Sequence, residues 1–371
     1  MSENDEALPF GDLWWSTSHQ TAEYEASTPP RILQTRSRRL VPALPTAANR
    51  PRRATGPGSP TTDRRPPDAS EDPDLHTVAA WLRARDGDGS RVATALRAAL
   101  DQVYDGRKTG RWDYTQLSKT EKTHIGTLVE IWLQREFDFE DGVDLDFQIA
   151  GHDVDCKWSR DLYSWEIPLE MYSDGPKIAL LLWANEDTAR WALGLLRITD
   201  DVLKPMGKQR DRKRTLSMEG RDRILWVYRE MPMIENTLVR HPEVAAEIAT
   251  CRTGQKATDL LFRRLQRILI NHATVETAAQ QIDSSKRVRD ARKKLRPEGI
   301  VIFGHYAPHP EMAAALGLPR PSLGRFVSAR LAPWTVGDAE PYVTVEDGRW
   351  RLARPDDPPA AAPELPQQGR S

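Results

Sequence analysis

Cysteine is nearly absent from this chain: 371 residues hold two, Cys156 and Cys251. Two thiols so far apart build no disulfide framework and lack the paired spacing of a zinc site, so a reducing, cytoplasmic setting is expected. Net charge is nearly absent too. With 53 basic and 54 acidic residues the total is −1, which by itself says nothing about nucleic acid. Long apolar runs are missing, and none approaches the ~18 residues needed to cross a bilayer. The opening Met1-Ser2-Glu3-Asn4-Asp5-Glu6 is acidic and has neither the basic start nor the apolar stretch of a secretory signal. Internal repeats are not found. Together these absences exclude a disulfide scaffold, a zinc finger, a solenoid and an integral membrane protein.

What is present is unevenly distributed. The length suggests about two domains. Residues 1–70 are rich in Pro, Ser, Thr and Arg, with a basic stretch from Arg31 to Arg65. That composition cannot bury enough apolar surface to offset chain entropy, so the segment reads as a disordered extension. Trp14 and Trp15 are its one apolar feature. A Pro-, Ala- and Asp-rich tail, 354–371, reads as flexible. Between them, apolar residues at helical spacing occupy 76–102 (Val78, Leu82, Val92, Leu96, Leu100, Val103). A second helix is predicted from about Ser118 to Phe137: Ser118 and Glu121 resemble a capping box, and Ile125, Leu128, Val129, Trp132 and Leu133 form one stripe. Strands are predicted at 178–183 and 191–198, and helices near 233–249, 256–271, 273–282 and 284–295. Further strands are predicted at 299–303 and 325–332. Short helices followed by a hairpin suggest a helix-turn-helix or winged-helix unit.

The chemistry gathers in Leu145-Asp146-Phe147-Gln148-Ile149-Ala150-Gly151-His152-Asp153-Val154-Asp155-Cys156-Lys157-Trp158, which alternates apolar and polar. A two-residue turn at Gly151-His152 would set Gln148 opposite Asp155 and Asp146 opposite Lys157. One face then carries Leu145, Phe147, Ile149, Val154, Cys156 and Trp158 as core. The other carries Asp146, Gln148, Asp153, Asp155 and Lys157. Two carboxylates and an ammonium on one face suit phosphodiester hydrolysis. Asp146, Asp155 and the Cys156 carbonyl are candidate ligands for Mg²⁺, a hard cation that takes oxygen donors. Lys157 is the candidate to position or deprotonate water or to stabilise the transition state. Glu130, on the second helix, is a candidate third carboxylate. Asp-x-Lys alone is a weak signal, because most alternating strands are solvated faces with incidental charges.

The spacing Asp146…Asp155-Cys156-Lys157 resembles the PD-(D/E)xK nuclease motif, with Leu145 where Pro is usual. Further blocks resemble the NaeI restriction endonuclease family: Leu100 to Gly106, Thr109-Gly110-Arg111-Trp112, Lys119 to His124, Gly126 to Glu130, Leu261-Phe262-Arg263-Arg264, Leu295 to Ile300 and Leu316-Gly317-Leu318-Pro319. The resemblance covers roughly residues 75–335 and leaves the N-terminal extension outside. It implies a mixed α+β or α/β endonuclease domain at 71–228 and a mainly helical winged-helix domain at 232–353. It implies catalytic roles for Glu130, Asp146, Asp155 and Lys157, with metal ligands from Asp146, Asp155, Cys156 and Glu130. A homodimeric type IIE enzyme is implied, binding two copies of one site, GCCGGC if specificity is shared. A methyltransferase protecting that site would accompany it. The alternative is a winged-helix DNA-binding regulator whose nuclease-like domain is inactive.

Two other features need weighing. Val103-Tyr104-Asp105-Gly106-Arg107-Lys108 resembles the nucleotidyl-transfer motif of DNA ligases, but Val103 stands where the nucleophilic Lys belongs, so no ligase chemistry follows. Residues 284–296 hold seven Lys or Arg and one Asp. Lys286, Arg287, Arg289, Arg292, Lys293 and Lys294 are the expected phosphate contacts, extended by Arg263, Arg264 and Arg267 at helical spacing. His272, His305 and His309 are not at metal spacing and read as ordinary loop or core residues.

Overall fold

The computed structural model describes residues 39–40, 42–44, 65–207, 211–281 and 283–366. Trp14 and Trp15 lie outside them. Helix α1 (Pro73–Arg85) begins where the Asp72 carboxylate accepts the Leu75 N–H and a proline fills the first helical position. The periodic stretch at 76–102 proves to be two helices. Asp86-Gly87-Asp88-Gly89 interrupts it, with Gly89 in the left-handed region at φ 73°. The Asp86 carboxylate accepts from the Arg91 and Val92 amides to start α2 (Ser90–Tyr104). A short turn of helix, α3 (Gly106–Thr109), follows. Helix α4 (Lys119–Phe137) has the reciprocal Ser118–Glu121 capping box, and its stripe of Ile125, Leu128, Val129 and Leu133 is buried. Each such side chain contributes roughly 1.5–3 kcal/mol of burial.

The first sheet has six strands in chain order: β1 (Glu140–Asp141), β2 (Phe147–Ile149), β3 (His152–Ser159), β4 (Lys177–Asn185), β5 (Arg190–Ile198) and β6 (Leu225–Pro232). All neighbours are antiparallel except β3 and β4, which are parallel. The sheet is mixed, and β6 carries it beyond the expected boundary at 228 to Pro232. Both of its faces are covered. Helices α1, α2 and α4 bury Phe147, Ile149, Val154 and Cys156 on one. On the other, Trp165, Ile167, Met171, Trp183, Val202 and Leu216 form a second core, which also receives Leu145. This corrects the expectation that Leu145 packs with Phe147. The apolar run Ile178–Ala184 on β4 is buried throughout, as a strand covered on both sides must be.

Five helices follow: α5 (Met218–Asp222) ahead of β6, then α6 (Thr237–Arg240), α7 (Pro242–Thr250), α8 (Gly254–Arg264) and, after β7 (Leu269–Asn271), α9 (His272–Ala279). Next come α10 (Ser284–Leu295), β8 (Ile300–Phe303), α11 (His309–Ala315), β9 (Arg325–Pro333), β10 (Tyr342–Val345) and β11 (Gly348–Leu352). Val327 pairs with both Leu269 and Phe303, so β7 and β8 flank β9 on opposite edges. β11 also pairs with β9, and β10 with β11. The stretch after 353 is not loose where it is described: Ala362 and Leu365 are buried against Phe303 and Leu331, and the Ala362 amide donates to the Arg296 carbonyl at 2.9 Å. Arg39–Leu40 and residues 42–44 lie on the surface but are held by hydrogen bonds to the ends of α7 and α9, which corrects the expectation of disorder for that part of the extension.

Candidate active site

The turn between β2 and β3 is Ala150-Gly151, not Gly151-His152. Both take positive φ, 53° and 82°, as a type I′ hairpin requires. The register follows: Ile149 pairs with His152, Gln148 with Asp153 and Phe147 with Val154. Each strand keeps its alternation, so the division into faces survives for Phe147 to Trp158. The cross-strand partners change. Asp146 reaches the Cys156 amide, which donates to its Oδ2 at 2.7 Å, instead of opposing Lys157. Asp153 accepts from the Val143 and Asp144 amides at 3.0 Å each, so it braces the loop before β2 and is structural.

Asp155 and Lys157 stay together. Lys157 Nζ lies 2.5 Å from Asp155 Oδ2 and donates to the Cys156 carbonyl at 3.2 Å. Asp155 is only 7% exposed. Burial pushes its carboxyl up to about 6, opposed by the Lys157 ammonium and reinforced by the negative charges of Asp146 and Glu170. Burial works against the charge on Lys157, but the Asp155 carboxylate more than offsets it and raises the ammonium's pKa. Lys157 therefore remains a cation. In this pairing it can donate hydrogen bonds and carry positive charge. Glu130 projects from α4 toward the same group. Burial, then Asp146 and Asp155, push its carboxyl up to about 7, with Lys157 opposing. Cys156 buries its side chain in the helix-side core, and burial pushes its thiol well up, so only its main chain serves the site.

The hairpin and α4 thus bring together all four predicted catalytic residues. Three carboxylates face one ammonium, and two of the three are held above their ordinary range. An acidic excess of hard oxygen donors, with the Cys156 carbonyl beside it, fits a hard divalent cation. Among the described residues no three His, Cys, Asp or Glu side chains already stand in ligating geometry. Lys157 and the Cys156 amide engage one oxygen each of Asp155 and Asp146. Glu170, between β3 and β4, was not anticipated. It lies fifteen residues beyond Asp155, on a 3-10 turn spanning Leu169–Met171, and no local pattern ties it to the hairpin.

The Tyr104-Asp105-Gly106 motif lies elsewhere and has a packing role. A Cβ on Gly106 would fall 2.0 Å from Thr277 Oγ1 and 2.8 Å from the Arg111 carbonyl. Glycine therefore lets α3 lie against α9. Beside it, Glu186 accepts from Arg97 at 2.6 Å, from the Tyr104 hydroxyl, and from Asn236 Nδ2 at 3.2 Å. Trp112 is buried among Leu238, Ile248 and Phe262, so the first and second halves of the chain share a core here.

The basic residues divide. Lys286, Arg289, Lys293 and Lys294 are exposed on α10. Lys286 pairs with Asp290 at 2.7 Å, Arg289 with Asp283 at 3.8 Å and Lys294 with Asp259 at 3.6 Å. Arg287 is half-buried beside Gln255. Arg292 is not a surface cation: its Nε donates to the Ile302 carbonyl at 2.8 Å, and burial lowers its pKa. Arg267 also departs from expectation. Helix α8 ends at Arg264, and Arg267 sits beyond it at φ 66°, donating to the Ala353 carbonyl at 2.7 Å. Arg263 is held by both oxygens of Glu298 at 2.7 Å, and Arg264 by Glu247 at 3.0 Å. His272 is the first residue of α9, His305 is an exposed loop residue, and His309 is a core residue.

A family model described as restriction endonuclease NaeI matches residues 76–361. The chain is 42% identical over 311 residues to the type II restriction enzyme NaeI of Lentzea aerocolonigenes, an alignment covering 81% of this chain and 96% of that relative. No helix among the described residues is long and apolar enough to cross a membrane.

Proposed function

The chain belongs to the NaeI restriction endonuclease family and is a type II site-specific deoxyribonuclease; from that premise we propose that it hydrolyses double-stranded DNA with Mg²⁺ at the Glu130, Asp146, Asp155 and Lys157 site. The observation that carries this is the joining of Asp146 to the Cys156 amide and of Asp155 to Lys157, which gathers the acids and the ammonium at one place on the hairpin. Asp146, Asp155, Glu130 and the Cys156 carbonyl would hold the metal. When bound, Mg²⁺ polarises a phosphate and lowers the pKa of water. Lys157, kept charged by Asp155, orients the attacking water and carries positive charge toward the phosphate as negative charge builds in the transition state. The apolar cores on both sides of β3 exclude water behind the site and strengthen these interactions.

We further propose that the C-terminal half is a winged-helix DNA-binding domain. Its support is the order α8, β7, α9, α10, β8, β9, with β7 and β8 on either edge of β9. In that reading α10 is the helix presented to the major groove, and Lys286, Arg289, Lys293 and Lys294 contact phosphates. The enzyme is read as a cytoplasmic homodimer. It cuts GCCGGC while a second copy of the site occupies the C-terminal domain as effector, and a methyltransferase protects the host's sites.

The test is cleavage of a sequenced plasmid with Mg²⁺ or with EDTA, followed by sequencing of the ends. Discrete fragments whose rejoined ends read GCCGGC, absent with EDTA and formed faster from plasmids with two sites than with one, support metal-dependent cleavage, the specificity and the effector role. Ends at another fixed sequence overturn the assigned specificity, and equal rates on both plasmids overturn the effector role. DNA bound but left intact with Mg²⁺ overturns cleavage and leaves the chain a regulator.

A further inference from the structure

The N-terminal extension lies outside the family match, which begins at residue 76. One short piece of it nevertheless makes a dense set of directed contacts. The Arg39 guanidinium forks between two helix ends. Nη1 donates to the Ile248 carbonyl at 2.6 Å and the Cys251 carbonyl at 3.2 Å, at the end of α7, and Nη2 donates to the Ala278 carbonyl at 2.6 Å, at the end of α9. Helix C-termini carry unsatisfied carbonyls and partial negative charge, so a guanidinium satisfies both needs at once. Gln280, the left-handed cap of α9, then grips the main chain of Leu40. Its Oε1 accepts the Leu40 N–H, and its Nε2 donates to the Leu40 carbonyl, each at 2.8 Å.

The segment then crosses to the other half of the chain. Gln116, between α3 and α4, donates to the Ala43 carbonyl at 3.0 Å. Gly110 makes room for the crossing, since a Cβ there would lie 2.8 Å from the Leu40 carbonyl. Leu40, Pro42 and Leu44 line a small groove shared with Trp112, Leu238 and Ile248. One short segment is thus fastened to α7 and α9 at its start and to the catalytic half at its end. It lies beside the α3–α9 contact and the Trp112 anchor that join the two halves.

We propose that residues 39–40 and 42–44 are an intramolecular clasp across the junction of the catalytic and C-terminal halves, and that these contacts set how tightly that junction is held. The joint beneath it includes the four-residue α3, Trp112, and the bonds that Asn236 Nδ2 donates to the Trp112 carbonyl at 2.8 Å and to Glu186 at 3.2 Å. Arg39 supplies charge-assisted bonds to two helices at once. Leu40 and Leu44 stay exposed, so the hold of the clasp rests on the forked Arg39 and on the Gln280 and Gln116 bonds.

The test is amide hydrogen exchange on the full-length chain, comparing wild type with Arg39→Ala, Arg39→Lys and Gln116→Ala. Arg39→Ala is expected to speed exchange about tenfold or more on both sides of the joint, at 251–254 and 278–281 and also at 106–116. Arg39→Lys restores only part, because an ammonium lacks the fork that bridges two helix ends. Gln116→Ala leaves all three bonds of Arg39 in place. It also removes the bonds that Gln116 Oε1 accepts from the Trp112 and Asp113 amides, so 106–116 loosens in any case; what the clasp adds is faster exchange at 278–281. Two results overturn the clasp: faster exchange confined to the ends of α7 and α9 in Arg39→Ala, or unchanged exchange at 278–281 in Gln116→Ala. The readout is independent of cleavage, so it stands apart from the activity proposed above.

Discussion

Neutralising Glu130 should make the metal-free protein more stable while stopping it from cutting. The Glu130 carboxyl is pushed from 4.5 up to about 7 by burial and by Asp146. A shift of that size corresponds to about 3 kcal/mol against the charged form. Glu130 retains some solvent contact, which screens the effect and brings the expected gain in Glu130→Gln to about 1–2 kcal/mol. A carboxyl whose folded pKa lies above its unfolded value contributes its full stability below the unfolded value and loses it as pH rises through the folded one. Wild-type protein in EDTA should therefore gain stability as pH falls from about 8 to 5, and Glu130→Gln should gain less. At about pH 8 the variant's urea midpoint should be the higher one, with a Tm raised by about 2–3 °C. Lys157 keeps its pairing with Asp155 in the variant, so no buried ammonium is orphaned. Plasmid cleavage with Mg²⁺ should fall by about two orders of magnitude or more. Added Mg²⁺ should raise the Tm of wild type more than that of the variant. A variant no more stable than wild type at pH 8 in EDTA would refute the claim that these carboxylates are held together against their own repulsion.

Two further outcomes follow from the second half of the chain. Arg289→Ala with Lys293→Ala should lower the salt dependence of DNA binding by about two units of slope and leave the fold intact, whereas Arg292→Ala should destabilise the protein by about 1–3 kcal/mol because it orphans the Ile302 carbonyl; filter binding across a salt series and urea unfolding separate the two, and an unchanged slope sinks the phosphate role. His309 is 1% exposed, with Nδ1 accepting the Gly304 amide and Nε2 facing the Pro366 carbonyl, and burial lowers its pKa from 6.5 to about 4. Its depressed folded pKa places its stabilisation above 6.5, to be lost as pH falls through about 4, by about 3 kcal/mol in all; an NMR titration that finds His309 protonated at pH 6 disproves it.

The hairpin was legible because parity is robust. The register was wrong, yet Asp155 and Lys157 still share a face, since alternation within each strand does not depend on the turn. The turn itself was misread because Ala150 occupies the left-handed region, which an alanine side chain disfavours, so Gly151 looked like the first turn residue instead of the second. Strand β6 went unread: Leu225–Pro232 is irregular in pattern, and its pairing with β5 shifts register. Helix α11 has only seven residues. The second core was available in principle, because Ile178–Ala184 is apolar without alternation and such a run demands cover on both faces. Arg292 and Arg267 could not be sorted from the other basic residues by spacing. What distinguishes them is a main-chain carbonyl brought from far along the chain, Ile302 for one and Ala353 for the other.

That sorting bears on how a site is told from a charged surface. Asp146, Asp153, Asp155 and Lys157 all alternate on the same hairpin, and a solvated strand face would treat them alike. They are not treated alike. Asp153 is satisfied by two loop amides and braces the chain. Asp155, two residues on, is buried between two apolar cores beside Asp146, with one ammonium to balance more than one acid, and its carboxyl is forced upward. Stability alone would not retain that arrangement, since an apolar residue at 155 would pack against Ala179 and Leu181 without desolvating a charge. A cluster that works against folding and persists at the margin of a dry sheet is explained by what it binds. The missing positive charge is then part of the reading, because a divalent cation supplies what Lys157 alone does not.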